Sequence, residues 1–175
     1  MQIIPVTDRS TAREFIQTSV VINKKDPNWI RPLDKDIDEV FSKTKNKAFR
    51  FGEVIRWVLK DDNGNLIGRI AAFINKKYKN KGDDVPVGGI GFFECINDKD
   101  AAFKLFDACR EWLRKKDIQV MDGPVNFGER DRFWGLMIEG FKNPSYLENY
   151  NPPYYLDFFK AYGFQKFFEQ TTSEV

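Results

Sequence analysis

Apolar and polar positions along the chain follow two periods, and the sharpest change from one to the other lies between Val87 and Lys116. The run V-G-G-I-G-F-F-E-C-I from Val87 to Ile96 has no Lys, Arg or Pro and is rich in β-branched and aromatic types. Such a run predicts a strand buried on both faces. Past Asn97-Asp98 the spacing becomes helical. Ala102, Leu105, Phe106, Cys109, Trp112 and Leu113 form one stripe, while Lys104, Asp107, Arg110, Glu111 and Arg114 take the opposite one. Asp98 is a suitable N-cap, Asp100 complements the positive end of the helix, and Arg114-Lys115-Lys116 complements the negative end. A buried strand feeding straight into a helix that packs back over the sheet is therefore the organising unit. Its junction is the kind of place where α/β proteins hold ligands.

The remaining pattern falls around this unit. Ile3 to Val6 reads as a short strand with Pro5 marking an edge or an end, and Thr7-Asp8 caps a helix carrying Ala12, Phe15, Ile16 and Val20. A loop with apolar anchors runs from Asp26 to Leu33, and a weaker helix follows around Ile37, Val40 and Phe41. Val54 to Leu59 and Leu66 to Ile74 read as strands joined by the Asp61-Asp62-Asn63-Gly64 turn, with the loop 75–84 leading to the central strand. Ile118 to Met121 reads as a buried strand, and residues 125–153 as a long irregular region. Pro152-Pro153 opens a helix carrying Tyr155, Phe158, Phe159 and Tyr162, Gly163 closes it, and Phe164 to Glu169 reads as a last strand. The order β-α-α-β-β-β-α-β-α-β is an antiparallel meander running into a βαβ unit, an α/β fold.

Composition narrows the chemistry. A chain of 175 residues is most simply one domain, and 17 Phe supply a substantial core. The net charge of +2 gives no mandate for nucleic acid or an anionic membrane. No apolar run has the length of a membrane span, and the start M-Q-I-I-P-V lacks a signal-peptide pattern, so a cytoplasmic location is expected. Cys95 and Cys109 both sit at apolar positions and read as buried free thiols rather than a disulfide. The chain has no His, which removes Ser-His-Asp and Cys-His nucleophile systems and His-based metal sites. Lys76, Lys77, Lys79 and Lys81 surround Tyr78, but Asp83 and Asp84 follow, so this stretch reads as a solvated loop.

Within these bounds Glu94 is the sharpest catalytic candidate. By strict alternation it shares a face with Ile90, Phe92 and Ile96. Burial of a carboxyl favours its uncharged form, the property wanted in a general base for an amine. The alternative is a buried carboxylate held by Arg56, Arg69 or a tyrosine. Gly88, Gly89 and Gly91 precede the end of the strand rather than opening a helix, which reads as a bulge or a close backbone approach and not as a phosphate loop. Asn126, Glu129, Arg130, Asp131 and Arg132 form a polar cluster suited either to an acceptor pocket or to internal pairing. Tyr146, Tyr150, Tyr154 and Tyr155 concentrate hydroxyls that suit a binding wall or the packing of a long loop.

The element order resembles the GNAT N-acetyltransferase superfamily over the whole chain, with the central strand and helix in the place of its acetyl-CoA-binding element. The stretches D-P-N-W-I-R-P-L, G-F-F-E-C-I, G-P-V-N-F and N-Y-N-P-P-Y-Y together resemble a poorly characterised bacterial GNAT-like family. Proteins of that family are commonly about twice this length, so residues 1–175 correspond either to one GNAT-like domain short of its last strand or to the N-terminal part of such a protein. The resemblance implies a GNAT-like mixed, mainly antiparallel sheet flanked by helices. It also implies acetyl-CoA or another acyl-CoA as cofactor, a small amine as substrate and no metal. Glu94 would be the base, the strand backbone at Cys95 and Ile96 would pair with the pantetheine arm, and Asn126, Glu129, Arg130, Tyr150 and Tyr154 would line the acceptor side.

The chain departs from the superfamily at two places. The glycine loop that cradles pyrophosphate is replaced by I-N-D-K-D-A-A-F, where two aspartates compete for the same helix N–H groups. Phe159 stands where a tyrosine often protonates the leaving thiolate, and a phenyl ring cannot donate that proton. Two functions thus stay open: a CoA-dependent N-acyltransferase, and a degenerate GNAT-like domain that binds a ligand or a protein. An open sheet edge would allow a homodimer with either.

Overall fold

The computed structural model describes residues 1–77, 85–130 and 132–171. In chain order they form β1 (Gln2–Pro5), α1 (Arg9–Asn23), α2 (Asp34–Val40), a 3-10 turn (Lys47–Arg50), β2 (Gly52–Lys60), β3 (Leu66–Asn75), β4 (Val87–Cys95), α3 (Lys99–Arg114), β5 (Val120–Asp122) and α4 (Tyr155–Tyr162). The five strands make one sheet in the order β1-β2-β3-β4-β5, antiparallel up to β4 and parallel between β4 and β5. α3 is the crossover that the parallel pair requires.

The caps lie where the sequence puts them. Asp8 and Thr11 form a reciprocal capping box on α1, and the Asp98 side chain accepts from the Asp100 and Ala101 N–H groups at the start of α3. Gly163 ends α4 with φ +107, a left-handed conformation that suits glycine. Both cysteines are buried free thiols.

Two apolar layers sandwich the sheet. On the α3/α4 side, Leu59, Ile70, Ala72, Ile90, Phe93 and Cys95 meet Leu105, Phe106, Cys109, Phe158 and Phe159. On the α1/α2 side, Val58, Ala71 and Phe73 meet Phe15, Ile16, Ile37, Phe127 and Phe133. The glycines of β4 serve close approach. A Cβ on Gly89 would fall 2.1 Å from the Phe73 ring, and one on Gly91 would fall 2.0 Å from the Val125 carbonyl oxygen.

β4 is interrupted just after Gly91. Ala71 pairs with Gly91 and Arg69 with Glu94, so Phe92 and Phe93 together face Ile70, and Phe92 has φ +52. This β-bulge reverses the alternation. Ile90 packs in the α3/α4 layer, as do Phe93 and Cys95 beyond the bulge, whereas Phe92 turns to the α1/α2 layer. Glu94 follows Phe92 and reaches α1. The shared face expected for Ile90, Phe92, Glu94 and Ile96 is thus corrected by one inserted residue.

Two further expectations change. The strand expected at Ile118 to Met121 is the shorter β5, and Ile118 instead closes the end of α3 by donating its N–H to Leu113. The last strand, Phe164 to Glu169, does not form among the described residues. Phe164 folds back onto Phe106 and Phe159, at 5.5 and 4.9 Å between ring centroids, while Phe167 and Phe168 are exposed and touch each other. Anchoring Phe164 in the aromatic layer takes the chain away from β5. Tyr78, Lys79, Lys81, Asp83, Asp84 and Asp131 lie outside the described residues.

Candidate functional site

Glu94 is buried at the end of β4, and four donors converge on its carboxylate. Ser19 Oγ donates to Oε1 at 2.9 Å, and Arg69 Nη2 reaches the same oxygen at 3.4 Å. Asn23 Nδ2 and the Tyr155 hydroxyl donate to Oε2 at 2.8 and 2.9 Å. A carboxylate offers about four lone-pair positions, so these donors saturate it. The arrangement is the buried, clamped carboxylate, with Arg69 and Tyr155 in the clamp. Arg56 is elsewhere, stacked on Phe41 at 4.2 Å, where burial lowers its guanidinium to about 10.

Ser19 and Asn23 lie one turn apart on α1 and continue the stripe begun by Phe15 and Ile16, so both face the sheet. Arg69 is also buried: Nη1 donates to the Phe15 carbonyl at 2.9 Å, and the guanidinium lies 4.8 Å from the Phe15 ring. Burial pulls its pKa below the ordinary arginine value, and the Glu94 charge opposes that shift. Two atoms of the clamp have no partner, Asn23 Oδ1 and Arg69 Nε. They are one spare acceptor and one spare donor beside the same carboxylate.

Above Glu94 and Arg69 lies a narrow cleft of about 30 Å³, room for a water or two. Most of its lining residues are apolar, while polar atoms make up nearly half of the surface they expose. Trp29, Ile30, Pro32 and Ile37 come from the α1–α2 loop and α2, Phe92 and Phe93 from the bulge, and Phe133, Pro144 and Tyr150 from the irregular region. Glu148 and Asn149 add polar groups. The two loops are tied across the cleft: Tyr150 OH donates to Asp26 at 2.7 Å, and Asn28 Nδ2 donates to the Phe141 carbonyl at 3.0 Å.

The other expected site residues lie apart from this cleft, with the exception of Tyr150. Asn126 is buried and donates to the Glu129 carbonyl, Glu129 pairs with Arg132 at 2.9 Å, and Arg130 stacks on Trp134 at 4.8 Å. These residues engage one another, with Asn126 Oδ1 left buried without a partner. Tyr154 and Tyr155 instead lie at the edge of β4 that β5 leaves uncovered once its pairing stops at Gly89. Cys95 N–H donates to the Tyr155 hydroxyl at 2.8 Å, and the Tyr154 hydroxyl donates to the Cys95 carbonyl at 2.8 Å. Ile96 N–H is held by the Ile67 carbonyl, and the Ile96 carbonyl accepts from Asp98 N–H. Burial pushes the Cys95 thiol and both tyrosines well up. Phe159, in the position expected for a tyrosine, is buried against Phe93 and Phe106.

Sequence reasoning missed Ser19 and Asn23. Their signal was present as two small polar residues on the buried stripe of an amphipathic helix.

With this geometry in place, similarity to known proteins can be weighed. No family model matches the chain. Among solved structures, the aminoglycoside 6'-N-acetyltransferase AAC(6')-Ig from Acinetobacter haemolyticus superposes with a TM-score of 0.59 at 12% identity, covering 100% of this chain and 98% of that one. AAC(6')-Iy, solved in complex with the bisubstrate analogue CoA-S-monomethyl-acetylneamine, superposes with a TM-score of 0.56 at 13% identity over 100% of this chain and 99% of that one. The chain has the GNAT acetyltransferase fold. A bacterial ceramide synthase of Caulobacter vibrioides is 28% identical over 155 residues, which is 89% of this chain and 40% of that protein. The chain thus spans less than half the length of the curated relative it matches. No helix among the described residues is long and apolar enough to cross a membrane.

The GNAT fold implies a CoA thioester at the end of β4 and the start of α3, and the residues present here do not fit one. The backbone groups of Cys95 and Ile96 are engaged within the chain, and the Asp98 carboxylate occupies the N–H groups of Asp100 and Ala101.

Proposed function

We propose that this chain is a GNAT-fold domain that holds the amine acceptor of an N-acyl transfer, and that the acceptor is a long-chain amine. The observation that carries this reading is the cleft itself, with apolar walls from Trp29, Ile30, Pro32 and Phe133 above a buried Glu94. The cleft as it stands has room for only a water or two, so an alkyl chain would enter by parting the α1–α2 loop from the irregular region, with its amino group toward the floor. Apolar burial contributes roughly 0.8 kcal/mol per methylene, so the walls favour a lipid-like amine over a polar aminoglycoside. The relative named as a ceramide synthase supports the same class, because a ceramide is the amide of a long-chain amino alcohol.

In this reading Glu94 supplies the negative charge that positions the ammonium. Acting as a base would additionally require one of its four donors to move, and the Ser19 hydroxyl is the one able to rotate away. The test is titration with butylamine, hexylamine and octylamine, read by Trp29 fluorescence against a Trp29→Phe control. Affinity should rise up to ~4-fold per added methylene, and Glu94→Gln should weaken octylamine by at least ~10-fold. Equal binding of the short and long amines would refute the reading.

A further inference from the structure

We infer that this chain does not hold a CoA thioester at the β4–α3 junction, and that any acyl donor meeting an amine above Glu94 is held by groups outside these residues. Three observations converge. The edge of β4 exposed by the departure of β5 is already paired, because the hydroxyls of Tyr155 and Tyr154 take the N–H and the carbonyl of Cys95, both at 2.8 Å. Tyr155 is 1% exposed and locked by its second bond to Glu94, so a pantetheine arm could displace it only by breaking the Glu94 clamp as well. Two N–H groups of the first turn of α3 are taken by its own cap: Asp98 Oδ1 accepts from Asp100 N–H at 2.9 Å and from Ala101 N–H at 3.1 Å.

A pyrophosphate would have to replace that carboxylate at the same N–H groups and would then face the charges of Asp98 and Asp100. Next to the helix start, Ile96 N–H is bound across the sheet to Ile67 and cannot turn outward. The aromatic pair on α4 therefore does internally what a bound ligand does at such an edge, completing the hydrogen bonding of a strand that has lost its neighbour.

This inference is independent of the acceptor reading and is tested separately from it. Acetyl-CoA is titrated calorimetrically into the protein, and amide hydrogen exchange is followed at Cys95, Asp100 and Ala101 with and without the ligand. The expected result is no saturable heat at millimolar acetyl-CoA and no change in exchange at the three amides. Micromolar binding that slows exchange at these amides would overturn the inference, whatever the amine titration gives. An Asp98→Ser/Tyr154→Phe variant, checked for folding by circular dichroism, adds a second readout. A gain of at least ~10-fold in acetyl-CoA affinity over the parent supports competition by the internal groups. Tight binding by the parent with no gain in the variant refutes it. If neither acetyl-CoA nor octylamine binds, the acceptor reading falls and this inference stands.

Discussion

On the α1 side of Glu94, Asn23 Oδ1 and Arg69 Nε are buried without a partner, and Arg69 lines the cleft. On the α4 side, a few residues further along the same strand, the N–H and carbonyl of Cys95 and of Ile96 and the N–H groups of Asp100 and Ala101 have partners inside the chain. One side holds buried polar atoms without partners, and on the other the strand end and the N–H groups of Asp100 and Ala101 are engaged. In a GNAT fold these are the places for acceptor and donor. On the proposed reading, the fold keeps the acceptor half of a two-substrate site while its own side chains close the other.

The connection between the two sides is Tyr155, which bonds to Glu94 on one and to Cys95 on the other. The largest effect should come from breaking the clamp. Glu94→Leu leaves the Arg69 guanidinium buried and unpaired, and it should cost ~3–5 kcal/mol in urea unfolding. Adding Arg69→Met should recover much of that loss. If Glu94→Leu alone were neutral, the ion pair would have no part in holding the cleft floor.

Tyr155→Phe separates the two sides without removing charge. It strips a donor from Glu94 and an acceptor from Cys95 N–H in a fully buried place, for an expected loss of ~1–3 kcal/mol. Tyr154→Phe, at a half-buried position with one hydrogen bond, should cost less, about 1 kcal/mol. Equal costs would mean that the Glu94 bond adds nothing to the latch.

Alkaline pH acts on the same tyrosines. Burial, then hydrogen bonding to Asp26, raises Tyr150 to about 12, and burial also raises Tyr154, Tyr155 and Tyr162. A folded-state value above the unfolded one means stability that is fully present below the ordinary tyrosine value near 10 and is lost as pH rises through the folded value. Tyrosinate absorbance should therefore lag behind that of the unfolded chain, and unfolding should become easier above about pH 10. Simple titration near 10 by all of these groups would contradict the latch. The smallest effect is expected at the cap, where Asp98→Ala should cost ~1 kcal/mol.

Much of this architecture is legible in the sequence, because periodicity and caps are local. The stripe from Ala102 to Leu113, the Asp98 cap and the C-terminal Gly163 are all where the pattern puts them. The identity of Glu94 as the central carboxylate is legible too, and so is the competition of Asp98 for the helix N-terminus. The face on which Glu94 projects is not, since the bulge at Phe92 inserts a residue that no alternation rule registers. The Tyr155 latch and the Ser19 and Asn23 contacts join residues 61, 75 and 71 positions apart from Glu94, and only the folded chain brings them together. The last strand fails for a similar reason: a β-like composition at Phe164 to Glu169 does not decide between pairing with β5 and anchoring Phe164 in the aromatic layer.

The most direct test of the asymmetry maps both ligands on one isotopically labelled sample by amide chemical shifts, octylamine first and acetyl-CoA second. The account predicts that octylamine perturbs Trp29, Ile30, Phe92 and Glu94 and that acetyl-CoA leaves Cys95 through Ala101 unmoved. Saturable shifts from acetyl-CoA at Cys95, Asp100 and Ala101, with none from octylamine around Trp29, would contradict it.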